Sequence, residues 1–320
     1  MISSICILGG TGFVGSDLAA RLVSRKHRIK ILSRQRERHR HLLLLPTVQV
    51  SDGQSFQVDA LARAFTGQDV VINLIGILNE RGHSGEGFQT AHVELARNVV
   101  TACRKAGVKR LLHMSALSAD AASGTSVYLR SKGEAEGIVL THCAGELNVT
   151  VFQPSVIFGI GDEFLNRFAK ILRLTPLWFP LACPNTRFAP VYVGDVSEAF
   201  MRAMDNPETF GKRYELCGPE IYTLREIVNY VAELTGHRCH IVGLPNALAY
   251  LQAALLEWFP GKPFSLDNYR SLQTDSVCHK NGFAAFGITP ISIDTVAPRY
   301  LAGYHARNRY AFYRREAGRY

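Results

Sequence analysis

Ile7-Leu8-Gly9-Gly10-Thr11-Gly12-Phe13-Val14-Gly15 holds two glycine frames at once. Gly10, Gly12 and Gly15 spell G-x-G-x-x-G, while Gly9, Gly12 and Gly15 spell G-x-x-G-x-x-G. An apolar run over residues 4–8 leads into the stretch, and residues 13–26 read as a helix. A strand that runs through a glycine turn into a helix gives such a fingerprint its meaning. One glycine lets the turn take a positive φ, a second lets a pyrophosphate approach the backbone, and a third lets helix and strand pack closely. The amides that open the helix then face the phosphates, where the helix dipole favours negative charge. Gly9, Gly10, Thr11, Gly12, Phe13, Val14 and Gly15 are therefore expected to grip a dinucleotide.

Outward from this turn the pattern continues. Apolar or β-branched runs at residues 4–8, 29–33, 48–50, 70–75, 110–115 and 149–153 alternate with helix-length stretches at 13–26, 57–65, 87–105 and 127–143. Several runs are apolar throughout, as when helices cover both faces of a parallel sheet. The expected fold is α/β: a Rossmann-type doubly wound parallel sheet with a smaller C-terminal substrate lobe. After Pro154 the character changes: Pro176, Pro180, Pro184 and Pro190 mark loops, and residues 223–236 and 246–258 read as separate helices. The division expected is 1–155 for the dinucleotide domain, 156–304 for a lobe over the carboxyl edge of the sheet, and 305–320 for a basic tail. Residues 191–205 are expected to return to the sheet.

Composition narrows the class. At 320 residues the chain buries a sizeable core, and no apolar run approaches the length that crosses a bilayer. The first residues run straight into the fold without the pattern of a signal peptide. Seven dispersed cysteines, with no C-x-x-C pair, read as reduced thiols in a cytoplasm. The net charge of +9 favours anionic partners. Its clusters are Arg34, Arg36, Arg38 and Arg40, and a tail with Arg307, Arg309, Arg314, Arg315 and Arg319 among tyrosines. Interleaved arginine and tyrosine suit an anionic membrane surface, which would make a cytoplasmic protein peripheral to the inner membrane. The same tail is compatible with RNA or with a solvated surface, and nucleic acid is not the expected partner.

The end of the second strand bears on the choice of cofactor. NAD sites usually place a carboxylate there, and NADP sites an arginine for the 2′-phosphate. Ser33 and Arg34 stand at that point, so NADP(H) is expected ahead of NAD(H), through bidentate bonds from a guanidinium. Further along, Ser115 ends a strand, and Tyr128-Leu129-Arg130-Ser131-Lys132 is a Y-x-x-x-K at helical spacing. Positions four apart share a helix face, so an ammonium at Lys132 lowers the pKa of the Tyr128 phenol and equips it to move a proton. Ser115 would hold the reacting oxygen, which makes Ser115, Tyr128 and Lys132 the candidate catalytic set.

The glycine turn, Asn73-Leu74-Ile75-Gly76, Ser115, Tyr128 with Lys132, Gln153-Pro154-Ser155-Val156-Ile157-Phe158-Gly159 and Val191-Tyr192-Val193-Gly194-Asp195-Val196 follow one another in the order of a known family. In them the chain resembles the extended and atypical short-chain dehydrogenase/reductases. More narrowly, it resembles the branch containing the nucleotide-binding accessory subunit of mitochondrial complex I and its bacterial relatives. Gly133-Glu134-Ala135-Glu136, Asp162-Glu163-Phe164-Leu165-Asn166 and Leu266-Asp267-Asn268-Tyr269-Arg270-Ser271-Leu272 carry that narrower likeness. The resemblance implies that Gly9, Gly12, Gly15, Ser33 and Arg34 hold NADPH, that Asp52 reaches the adenine, and that Asn73 and Gly76 line the groove. It also implies that Pro154, Ser155 and Val156 pass near the nicotinamide. His92 stands where many extended relatives carry asparagine, and is read as packing or hydrogen-bonding locally.

Three functions are then in view. The first is an NADP-dependent oxidoreductase acting on a carbonyl, hydroxyl or quinone-like small molecule, with hydride transfer assisted by Tyr128 and Lys132. The second is a non-catalytic NADPH-binding protein that supports a respiratory or quinone-synthesis assembly. The third is a nucleotide-sugar epimerase or dehydratase, disfavoured because no carboxylate follows the second strand.

Overall fold

The structure, a computed structural model, describes residues 2–302 except 35, 54–55, 81, 142–146, 176, 238 and 260–261. The basic tail expected to meet a membrane lies outside the described residues, as does the side chain of Asp52. Two compact units divide the chain. The first holds Met1–Pro154, Gly194–Leu216 and His279–Thr289, and the second holds Ser155–Val193, Cys217–Cys278 and the chain from Pro290.

Seven parallel strands form the sheet of the first unit. They are β1 (Ser4–Leu8), β2 (Arg28–Ser33), β3 (Val48–Asp52), β4 (Val70–Asn73), β5 (Arg110–Met114), β6 (Asn148–Pro154) and β7 (Lys212–Leu216). Their spatial order is β7-β6-β5-β4-β1-β2-β3, so the winding reverses between β1 and β4. Leu8 pairs with Leu32 on one side and with Asn73 on the other, which brings the carboxyl ends of β2, β1 and β4 level. This is the Rossmann-type doubly wound sheet, and open α/β sheets bind ligands at such a reversal.

Alternate strand residues feed two core layers. Val71, Leu111, Val149 and Val151 pack with Phe65, Val99, Cys103 and Val139. Those four come from helices α2 (Val58–Phe65), α3 (Leu95–Ala106) and α4 (Val127–Thr141). Phe152, one residue on from Val151, stacks instead on Phe200 of a later helix, residues 193–204. The Arg25–Glu198 ion pair ties that helix to the end of α1 (Phe13–Ser24).

The chain returns to the first unit at Gly194. Residues 193–204 come back as a helix, with Val196, Ala199, Phe200 and Ala203 fully buried at helical spacing. The strand that joins the sheet is β7, and a further segment, His279–Thr289, follows it into the first unit. The lobe expected at 156–304 is thus interrupted twice.

In the second unit three short pairs of strands frame a separate core. Leu165, Ala169 and Leu172 of one helix meet Ile227, Val228 and Val231 of another, with Ile293 and Leu301 closing the cluster. Cys217 and Cys278 form a disulfide that closes a loop of 61 residues. The sequence had suggested thiols throughout. The fold brings these two together at the start and end of a segment that belongs wholly to the second unit.

Candidate dinucleotide and Tyr–Lys site

Gly9 leaves β1 at φ +77, a conformation that side chains resist, and its carbonyl accepts the Gly12 amide at 3.0 Å. A Cβ on Gly15 would overlap the Gly9 carbonyl and stand 2.5 Å from Gly10 Cα, so the third glycine seats α1 against the turn. Helix α1 opens at Gly12 with no side-chain cap and no carboxylate in its first turn. A helix start left this way favours an anion at Phe13, Val14 and Gly15. The cradle therefore fits a pyrophosphate, with Thr11 at its rim.

Beside this turn, β2 ends in buried Ser33 followed by exposed Arg34. Ser33 pairs with Asp52 of β3, so both sit at the same carboxyl edge. The Ser33 carbonyl accepts the Gly53 amide, which bends the chain out of β3.

Asn73 closes β4. Its amide donates to His113 Nδ1 at 3.2 Å, and its Oδ1 accepts the Ile75 N–H at 3.2 Å, so the side chain shapes the exit from the strand. That bond leaves the His113 proton on Nε2. His113 is fully desolvated and faces the Lys132 charge, so its pKa falls to about 3 and the ring stays neutral.

Lys132 is buried on α4, and its Nζ donates to the Met114 carbonyl at 3.1 Å and the Ile75 carbonyl at 3.4 Å. Burial lowers its pKa to about 8. Gly76 makes room for it: a Cβ there would stand 2.9 Å from the ammonium. His92 sits in a π-helical turn, Gln89–Glu94, of the kind often found at functional sites. Its Nε2 accepts the Ile77 N–H at 3.1 Å, so Nδ1 carries the proton and donates to Ser131 Oγ at 2.8 Å. Desolvation, then the Lys132 charge, takes its pKa to about 2. The local hydrogen-bonding read for His92 is what these bonds describe.

Tyr128 lies one turn before Lys132 on α4, edge-on to His92 with ring centroids 5.6 Å apart and edge-on to Phe88 at 6.2 Å. The Ser115 hydroxyl is buried and makes no hydrogen bond of ordinary geometry, although it lies close enough to Glu136 to help keep that carboxylate charged. Glu136 is also buried. It receives Gln153 Nε2 at 2.9 Å and pairs with Arg213, while desolvation pushes its pKa up against those partners.

Tyr128, Lys132 and Glu136 thus form an i, i+4, i+8 stripe. The sequence reading quoted Glu136 without giving it a task, and a carboxylate four residues after a helical lysine was the available signal.

Pro154 ends β6, and its carbonyl accepts the Leu117 amide. Ser155 and Val156 begin the second unit. There Ser155 Oγ donates to the Ser276 carbonyl at 2.7 Å, and the Val156 carbonyl accepts the Val191 amide.

A parallel sheet with this reversal and an uncapped glycine turn at β1 are the features of a Rossmann-type NAD(P)-binding domain. Residues 9–158 match the NAD(P)H-binding family model. Among individual proteins, the chain is similar to NADH dehydrogenase [ubiquinone] 1 alpha subcomplex subunit 9, a mitochondrial protein. The Arabidopsis thaliana subunit is 27% identical over 290 residues, covering 86% of this chain and 71% of that one. The Rattus norvegicus subunit is 36% identical over 189 residues, which is 57% of this chain and 47% of the rat protein. In that second comparison the matched region is about half the relative's length. A UDP-glucuronic acid 4-epimerase from Bacillus cereus, solved with UDP-glucuronic acid and NAD, superposes with a TM-score of 0.72. It covers 94% of this chain and 98% of its own at 14% identity, a likeness of fold alone.

Proposed function

We propose that the protein binds NADP(H) along the carboxyl edge of its sheet and keeps it as a long-lived ligand within a respiratory or quinone-synthesis assembly. The opening of α1 over the Gly9, Gly12 and Gly15 turn, with Arg34 just past the end of β2, carries this reading. In it the amides of Phe13, Val14 and Gly15 hold the pyrophosphate, aided by Gly10 and Thr11. Arg34 takes the 2′-phosphate beside Ser33. Asn73 and Gly76 line the groove, Pro154 closes its far end, and Lys132 donates to the nicotinamide ribose.

A static role is favoured over turnover because the curated relatives are subunits of a larger assembly. The likeness to complex I subunits supports the choice of assembly. Nucleotide released from the purified protein and identified by mass spectrometry tests the proposal. NADP(H) in near-equal molar amount is expected, and Arg34→Glu should turn the preference toward NAD(H). Recovery of neither dinucleotide, or normal loading of Gly12→Val, would overturn it.

One observation favours a second reading, an oxidoreductase. Tyr128 and Lys132 share a helix face, and burial lowers the lysine's pKa to about 8 while leaving it largely charged at neutral pH. A bound nicotinamide supplies or accepts a hydride, and Tyr128 would then move the proton, with Lys132 supporting the phenolate electrostatically. Oxidation of NADPH with a carbonyl or quinone panel, abolished in Tyr128→Phe, would establish it. A nucleotide that stays unreacted with every compound would remove it.

A further inference from the structure

Cys217 and Cys278 are held opposite one another by hydrogen bonds that involve neither sulfur. Cys217 directly follows β7, and the next amide, that of Gly218, donates to the Ala189 carbonyl at 3.1 Å. The Ala189 amide donates in turn to the Ser276 carbonyl at 3.0 Å, two residues before Cys278, and the Ser276 amide donates to the Arg187 carbonyl at 2.8 Å. A Cβ on Gly218 would overlap the Pro190 carbonyl, so the chain after Cys217 runs hard against this stretch. On the other flank, Glu215 Oε2 accepts the amides of His279 and Lys280 at 2.7 and 3.1 Å. Ala189 thus ties the residues after Cys217 to those before Cys278, and Glu215 ties the residues on their far sides. The two Cα atoms stand 6.0 Å apart, a separation that a disulfide spans without moving the backbone.

The two sulfurs differ in access. Cys217 is 3% exposed, whereas Cys278 is half-buried and is followed by exposed His279 and Lys280. Cys6 and Cys103, by contrast, are free thiols in the core of the first unit. Burial pushes the pKa of both up, so neither carries a thiolate at neutral pH.

We infer that Cys217 and Cys278 form a reversible dithiol–disulfide couple, exchanged by a small thiol of the glutathione class, which sets how readily the segment between them opens. In the reducing direction a small thiolate attacks the Cys278 sulfur. A new S–S bond forms, the Cys217–Cys278 bond breaks, and its electron pair leaves on Cys217, which takes up a proton. A second small thiolate attacks the outer sulfur of this mixed disulfide and releases Cys278 as a thiolate, which is protonated in turn. Two small thiols are oxidised to their disulfide, and the protein pair is reduced by two electrons. The hydrogen bonds around Ala189 and Glu215 survive the exchange, so the reduced chain stays folded with its two thiols in reach of each other. What changes is the freedom of the segment. The crosslink closes a loop of 61 residues, and breaking it admits open forms that the closed loop denies to the helices Leu224–Thr235 and Asn246–Leu256.

The test equilibrates the full chain in glutathione buffers from fully reduced to fully oxidised, quenches with acid and labels thiols with N-ethylmaleimide in denaturant. Peptide mass spectrometry should show Cys217 and Cys278 losing the label together as the buffer becomes oxidising, and regaining it when the buffer is reversed. Cys6 and Cys103 should be labelled throughout. In Cys217→Ser, oxidised glutathione should leave Cys278 as a mixed disulfide. Hydrogen exchange of the native protein should be at least about tenfold faster in the helices Leu224–Thr235 and Asn246–Leu256 when the pair is reduced, and unchanged in β1, β4 and β5. A pair that stays thiol in glutathione disulfide, or stays linked in reduced glutathione until the protein is denatured, would overturn the couple, whether or not the serine variant folds. Equal exchange rates in the two states would overturn its hold on the segment.

Discussion

Lys132 carries its charge into a position where two backbone carbonyls are its described acceptors. Lowering an ammonium from 10.5 to about 8 corresponds to roughly 3 kcal/mol of destabilisation of the charged form. A protein keeps such a group when it is used, and here the use proposed is the nicotinamide ribose. Lys132→Met should therefore separate stability from binding. Its nucleotide-free form is expected to melt no lower than the parent, while the dissociation constant for NADPH rises at least about tenfold, the scale of one charge-assisted hydrogen bond. Thermal melting and titration calorimetry check the two halves. A lower melting point with unchanged affinity would make the lysine structural.

The two buried histidines set a pH limit of their own. His92 and His113 stay neutral in the fold down to about 2 and about 3, against 6.5 in an open chain. Below 6.5 the unfolded chain takes up protons that the folded one refuses. Their contribution is thus complete above pH 6.5 and is lost progressively as the pH falls toward 3. The loss approaches about 1.4 kcal/mol per pH unit for each ring. Urea unfolding at pH 7 and pH 5 should show it, and His92→Gln, which still offers Ile77 an acceptor, should roughly halve the slope.

At the scale of elements, α1 depends on contact between backbones. Its third glycine has no room for a methyl group, and the atoms in the way are the Gly9 carbonyl and Gly10 Cα, which no rotamer change can move. Gly15→Ala must push the helix off the turn. Overpacking of that kind costs about 1–3 kcal/mol, and the amides would lose their aim as well. A melting temperature lowered by several degrees with NADPH no longer raising it is expected, and calorimetry with and without nucleotide reads both.

This contact was legible in the sequence because glycine spacing reports backbone geometry directly. Of the six strands read in advance, β1, β4, β5 and β6 were legible for a related reason: each is rich in apolar residues and buried on both faces. Strand β7, Lys-Arg-Tyr-Glu-Leu at the edge of the sheet, gave no such signal, since only Leu216 in it is buried. Val191 and Tyr192, β-branched and aromatic, do form a short strand, which pairs with Ile157 and Phe158, and the helix begins only at Val193. In the candidate site, the Y-x-x-x-K spacing puts Tyr128 and Lys132 on one face of α4.

For the whole molecule, the interruptions of the chain determine what can fold alone. Residues 1–154 contain the glycine turn, the Tyr–Lys pair and all but one strand of the sheet, yet they leave Arg110 without its surroundings. That guanidinium is 4% exposed. Besides Asn148 and Thr150, it donates to the Met204 and Ala203 carbonyls and to Thr209 Oγ1, all supplied by the segment that returns at Gly194. Phe152 likewise loses Phe200, Tyr214 and Phe286 from the same unit. A charge buried without its acceptors costs several kcal/mol, comparable to the whole stability of a domain this size. A fragment ending at Pro154 is thus expected to keep helical circular dichroism but lose a sharp melting transition, bind a hydrophobic dye and fail to retain NADPH. Replacing Arg110 with Met in that fragment removes the orphaned charge and should recover part of the transition. If the unmodified fragment instead melts cooperatively and binds nucleotide like the full chain, the returning segments are accessories to the fold, and the dinucleotide half is a domain in its own right.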